Sequence, residues 1–260
     1  MKKLLLASIA LSALLAGSAV AADLPVKAPA YRPAPPVYTW SGCYIGVHGG
    51  WSWGDERVST HSYINGAVTR SNEASVNTDG ALLGGQVGCD YQFAGNLVFG
   101  VQGDYAGTRI TGDIQDPHDG SGRNDVLHFQ TSRLASVTAR LGITGWGNQA
   151  LLYVKGGGAW ARNTYDFRSA DRAALRGIYD VDLSGWTVGA GVEWAFAPSW
   201  SAFVEYDHYD FGNKTTTLVQ RSFGGAFSED YQVKAPTIDT IKFGINYRFN
   251  YMSGPVVANY

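Results

Sequence analysis

Nine ionisable residues, Asp90, Asp104, Arg140, Lys155, Glu193, Glu205, Asp207, Lys242 and Arg248, occupy the polar parity of segments whose other parity is apolar. Gln86 and Gln102 fall on the same side. Five acids and four bases turned into one narrow interior have two chemical uses. Paired, they form a salt-bridged filling, because isolated charges taken out of water are costly whereas balanced ones hydrogen-bond each other. Held apart, they line a water path. The near balance predicts a plug rather than a pore.

Other chemistries find less support in the residue types. His48 shares the inward parity, but the sequence identifies no Ser or acid beside it, and His208 falls on the apolar parity near a rim. H-E-x-x-H and phosphate-loop patterns are missing, and a base without a positioned nucleophile does not make a catalyst. The acids Asp113, Asp116, Asp119 and Asp125 surround Pro117-His118 without calcium-loop spacing, so a solvated acidic loop is expected. Cys43 and Cys89 have no C-x-x-C spacing, which removes a metal reading. No catalytic, cofactor-binding or metal-ligating residue is predicted.

The elements that position the charges are strands. From Thr237 to Phe249, Ile241, Phe243, Ile245, Tyr247 and Phe249 share one face, while Lys242, Asn246 and Arg248 share the other. About eight segments repeat this period-2 alternation, with no helical segment left to cover the apolar face, so lipid is the expected cover. They lie near 41–53, 80–93, 97–109, 133–145, 150–162, 183–197, 200–212 and 237–249. Very short turns (Ala94-Gly95-Asn96, Trp146 to Gln149, Pro198-Ser199) alternate with polar loops of roughly 20–25 residues, as in outer-membrane barrels. The prediction is an all-β, eight-stranded antiparallel up-and-down transmembrane barrel.

Tryptophan gives a separate signal, because the indole favours the membrane interface. Trp51, Trp53, Trp160 and Trp186 fall at the long-loop end and Trp40, Trp146, Trp194 and Trp200 at the short-turn end, predicting two girdles. A soluble lipocalin-like binder would carry the reverse pattern, with an apolar lumen and a polar exterior.

Met1 to Ala22, with Lys2, Lys3 and an apolar run ending in Ala19-Val20-Ala21-Ala22, reads as a secretory signal peptide. Its loss removes two of 20 basic residues and none of 22 acidic ones, leaving a formal charge of −4 and arguing against nucleic acid partners. Residues 23–39, holding five of nine prolines, read as a periplasmic linker, 40–249 as the barrel, and 250–260 as a periplasmic extension.

Ala21-Ala22-Asp23-Leu24-Pro25, Trp40-Ser41-Gly42-Cys43-Tyr44-Ile45-Gly46, Gly84-Gly85-Gln86-Val87-Gly88 and Lys242 to Phe249 together resemble the small outer-membrane barrels of alphaproteobacteria. This OmpA-like group includes immunogenic, porin-labelled and some hemin-binding members. The resemblance implies an outer-membrane location, no enzyme activity, and a final strand whose Phe243, Ile245, Tyr247 and Phe249 serve as a signal for the barrel-assembly machinery. Such chains usually stop at the terminal Phe; this one continues to Tyr260. They would also carry aromatic residues where Cys43 and Cys89 stand. Those cysteines share the apolar parity of adjacent strands, where a cross-strand disulfide in the oxidising periplasm and a pair of free thiols are both allowed. Lipid and lipopolysaccharide are the expected partners, with Arg162, Arg168, Arg172 and Arg176 near the outer interface, and Ala170 to Arg176 reading as a short helical turn. A narrow channel for small solutes is the alternative function, and surface hemin binding another, with His61, His118, His128, Tyr63, Tyr179 and Tyr231 as candidate ligands.

Overall fold

The computed structural model describes residues 38–64, 67–93, 95–115, 126–168, 176–212, 215–222 and 227–249. The signal peptide, most of the linker, the C-terminal extension and the expected helical turn before Arg176 lie outside them.

Alternating apolar and polar residues produce nine strands: β1 (Gly42–Ile64), β2 (Ala67–Phe93), β3 (Leu97–Gln115), β4 (Val126–Gly145), β5 (Ala150–Arg168), β6 (Arg176–Ala197), β7 (Trp200–Asp210), β8 (Thr215–Ser222) and β9 (Phe227–Phe249). Strands β1 to β7 pair antiparallel in chain order, β7 pairs with β9, and β1 pairs with β9 from Cys43↔Phe249 to Ile64↔Phe227. That last ladder closes the sheet into a ring over the span of β7, and beyond Trp186↔Asp210 the described part of β6 pairs with β5 alone. Strand β8 pairs only with the far half of β9, beyond the end of β7. The body is therefore a closed eight-stave, up-and-down antiparallel barrel, with β8 as an added hairpin strand.

At the short-turn end the strands stop within a residue or so of the expected positions, where left-handed backbone at Gly95 (φ 79°), Trp146 (φ 48°), Gly147 (φ 67°) and Asn148 (φ 71°) forces tight reversals. At the other end the expectation of long loops is corrected. The ladder runs on to Ile64↔Ala67, Gln115↔Val126 and Arg168↔Arg176. Those segments are rich in Thr, Ser, Asn and Tyr, which lack an apolar stripe but pair their backbones as strand.

Alternation sorts the side chains into two populations. Ile45, Val87, Phe99, Val137, Leu141, Val154, Val192 and Phe243 point outward and are exposed, whereas charged and amide side chains of the other parity are buried. Close approach explains two inward glycines. Gly88 faces Tyr44 and Gly191 faces Tyr153 across their ladders, and a Cβ at either would stand 2.5 Å from the phenol ring. The glycines let those rings lie across the lumen.

Candidate functional site

Strand β7 measures the lumen, with Ser201, Phe203, Glu205, Asp207 and Tyr209 all turned inward. At the level of Ser201, Glu193 accepts from Arg140, from Ser201 (2.5 Å) and from Asn246 (2.9 Å). Arg140 also donates to the Tyr44 hydroxyl (3.0 Å) and lies 3.8 Å from the Tyr153 ring centroid, a cation–π contact. Arg248 donates to Asp90 (2.9 Å) and to the Trp40 carbonyl (2.6 Å). Amides link the pieces, Tyr44 donating to Gln102 (2.9 Å) and Gln86 to Asn246 (2.8 Å).

One level farther, Lys155 lies 2.7 Å from Glu205 and 3.2 Å from Asp207. Lys242 lies 2.6 Å from Asp207, 3.1 Å from Glu205 and 3.4 Å from Asp104. The structure thus brings all nine predicted ionisable lumen residues into two contacting layers. Sequence reasoning missed one member: His48 Nε2 stands 3.3 Å from Asp104, so this histidine does have an acid beside it. The pairing runs from β1 to β3, across β2, which the linear sequence does not display.

Two caps bound the charged layers. On the hairpin side, buried Ile110, Leu134, Leu183, Tyr209, Phe211 and Ile238 form an apolar cluster, with Tyr209 and Phe211 stacked. On the short-turn side, Trp40 packs with Tyr38, Val98, Leu151 and Tyr153, and its indole donates to the Asn148 carbonyl (3.0 Å). Trp40 is 0% exposed and does not join an interface girdle. It keeps the inward parity of Tyr44, and the positive φ of Gly42 (136°) marks where the chain bends to follow the lumen. The parity of β1 run back two residues was the signal available. The other seven tryptophans, Trp51, Trp53, Trp146, Trp160, Trp186, Trp194 and Trp200, are 41–78% exposed on the outside.

Beyond the apolar cap, three residues past Trp53, Glu56 is buried and accepts from the Tyr165 hydroxyl (2.8 Å). Burial pushes its carboxyl up to about 7, against the opposing effect of that hydrogen bond, and burial likewise raises the Tyr165 phenol. Neither residue stood out in the sequence. On the outer face, Cys43 and Cys89 are register partners joined by a disulfide. His208 faces outward with its Nδ1 2.8 Å from Asp239, to which Tyr206 also donates (2.6 Å). Of the candidate hemin ligands, His61 lies on β1, His128 on β4 beside Asp113 (2.5 Å), Tyr63, Tyr179 and Tyr231 on β1, β6 and β9, and His118 outside the described residues.

Comparison with known proteins agrees with this architecture. The family model for the outer membrane protein β-barrel domain matches residues 8–249. A 31 kDa outer-membrane immunogenic protein of Brucella melitensis is 32% identical over 253 residues, covering 96% of this chain and 100% of that one. A 25 kDa outer-membrane immunogenic protein of Brucella abortus is 26% identical, covering 90% of each. Among solved structures, the outer membrane protein OprG of Pseudomonas aeruginosa shares the fold, with TM-score 0.50, 17% identity, and coverage of 80% of this chain and 97% of that one. The chain is a member of the outer membrane protein β-barrel domain family, a small barrel of the bacterial outer membrane.

Proposed function

We propose that this barrel is a non-enzymatic envelope protein whose lumen is closed by its own side chains and whose hairpins serve surface interaction. One observation carries the reading: two layers of paired charges lie between an apolar cap and the Trp40 plug. An eight-stave barrel has an interior only wide enough for side chains, so these layers leave no room for a steady water column. In this reading the short turns face the periplasm and the hairpins face outside, as in other barrels of this kind. The seven outward tryptophans sit at the two membrane interfaces. The outward Phe243, Ile245, Tyr247 and Phe249 of the closing strand present the aromatic end that the assembly machinery would engage. Surrounding lipid and lipopolysaccharide are the structural partners.

The narrow-channel alternative draws on the polarity of the interior, which an apolar filling would not share. Proteoliposome swelling in small sugars separates the two. The closed reading expects protein-containing vesicles to swell no faster than empty ones, and swelling that scales with inserted protein would replace it with the channel.

A further inference from the structure

The outer wall just beyond the hairpin-end tryptophans carries a row of arginines that the chain only partly neutralises. On β5, Trp160 points outward, and Arg162 follows two residues farther along the same face. Arg133 of β4 is the direct register partner of Arg162 and is exposed. Arg109 of β3, also exposed, lies in the bulge that follows the Gly107↔Arg133 pair. Three guanidinium groups therefore project from three adjacent strands.

Their surroundings balance them in part. Arg162 donates Nε and Nη2 to Asp182 at 2.8 and 3.1 Å, and these hydrogen bonds hold that carboxyl below its ordinary range. Asp180, farther along β6, accepts from Thr164 (2.8 Å). Among the described residues, neither Arg109 nor Arg133 makes an ion pair. Like charges placed directly opposite on a ladder repel, and the Arg133↔Arg162 pair shares the field of Asp182, with Asp180 acting on Arg162 as well, while Arg109 adds a third cation beside them. Toward the barrel middle the same wall becomes apolar, with Tyr105, Val137 and Trp160 exposed. A cationic row bordering an apolar wall at the level of an aromatic girdle matches a lipid whose anionic head joins hydrocarbon chains.

We propose that Arg109, Arg133 and Arg162 bind the phosphate groups of an outer-leaflet glycolipid, whose acyl chains lie against Tyr105, Val137 and Trp160. The site rests on the orientation proposed above, with the hairpins outside. Guanidinium suits phosphate because its planar fork donates two parallel hydrogen bonds, and the low-dielectric border strengthens them. Arg133 and Arg109, which no carboxylate engages in an ion pair among the described residues, are the principal binders, and Arg162 is shared with Asp182.

The test compares refolded mature protein with the Arg109→Gln/Arg133→Gln/Arg162→Gln triple variant and the single variant Arg133→Gln. Each is inserted into bilayers containing bisphosphorylated lipid A or the same lipid stripped of both phosphates, and unboiled gel mobility reports the folded fraction. Lipid A retained per folded barrel is measured by mass spectrometry after detergent extraction. The wild type is expected to retain the phosphorylated form about tenfold better than the triple variant, with Arg133→Gln between them, and to show no such preference for the stripped form. Equal retention of phosphorylated lipid A by folded wild type and triple variant overturns the site while leaving the barrel reading intact. A wild-type chain that inserts into neither bilayer overturns the outer-membrane reading and the site with it.

Discussion

At the residue scale, the lumen is a set of mutual dependencies. Glu193 is contacted by Arg140, Ser201 and Asn246, so replacing it leaves a guanidinium buried without its carboxylate. Breaking a buried pair from one side costs about 3–5 kcal/mol, whereas removing both charges costs far less. Urea unfolding of the refolded barrel should therefore show Glu193→Leu strongly destabilised and the Arg140→Met/Glu193→Leu double variant substantially recovered. Glu56 behaves differently, because burial raises its carboxyl from 4.5 to about 7. Below 4.5 it is neutral in both folded and unfolded chains and has no pH-dependent effect. As pH rises toward 7 the unfolded chain ionises first, so stability falls by about 3 kcal/mol and then levels off. Glu56→Gln should remove that decline, raising the urea midpoint relative to wild type at about pH 8 but not at about pH 4. Parity alone placed the nine charges inside. It did not reveal who contacts whom, since His48 and Asp104 meet across an intervening strand.

At the element scale, the disulfide clamps β1 to β2 on the outer face. Cys43 and Cys89 are 46 residues apart, and closing such a loop limits the unfolded chain by about 4 kcal/mol in the chain-entropy account. The Cys43→Ala/Cys89→Ala variant should still give a heat-modifiable barrel, with a lower unfolding midpoint than the oxidised wild type and one equal to the wild type unfolded under reducing conditions. A variant that leaves the midpoint unchanged would show that the bridge adds nothing. The staves were legible because lipid on one side and charge on the other impose a strict period of two, and because Gly95 and Gly147 mark the tight turns. The outer hairpins were not. Their outer face meets water and several of their buried inward residues, such as Glu56, Thr78 and Asn163, are polar, so little apolar contrast marks the alternation, and residues 67–79 read as loop although the β1–β2 ladder runs unbroken through Trp53↔Asp79 and Arg57↔Ser75. Trp40 was misplaced for a related reason: nearness to a strand end says nothing about which side the ring faces, and only continuing the parity from Tyr44 would have turned it inward.

At the scale of the whole molecule, closure by β1 and β9 converts an amphipathic sheet into an object with two environments, and the question is whether the inner one conducts. Small inward glycines opposite Tyr44 and Tyr153, paired charges at two levels, and caps at both ends all fill the same narrow space. Trp40→Gly removes the largest part of the short-turn cap, yet the charged layers above it would still block passage, so this variant is expected to lose stability and stay silent. Planar-bilayer recording of the refolded mature protein, with its folded insertion verified by unboiled gel mobility, tests the closed lumen most directly. The account predicts no reproducible conductance from the inserted wild type. Stable unitary steps that change when Lys155, Glu205 or Lys242 is substituted would contradict it and establish a water path through the charged layers.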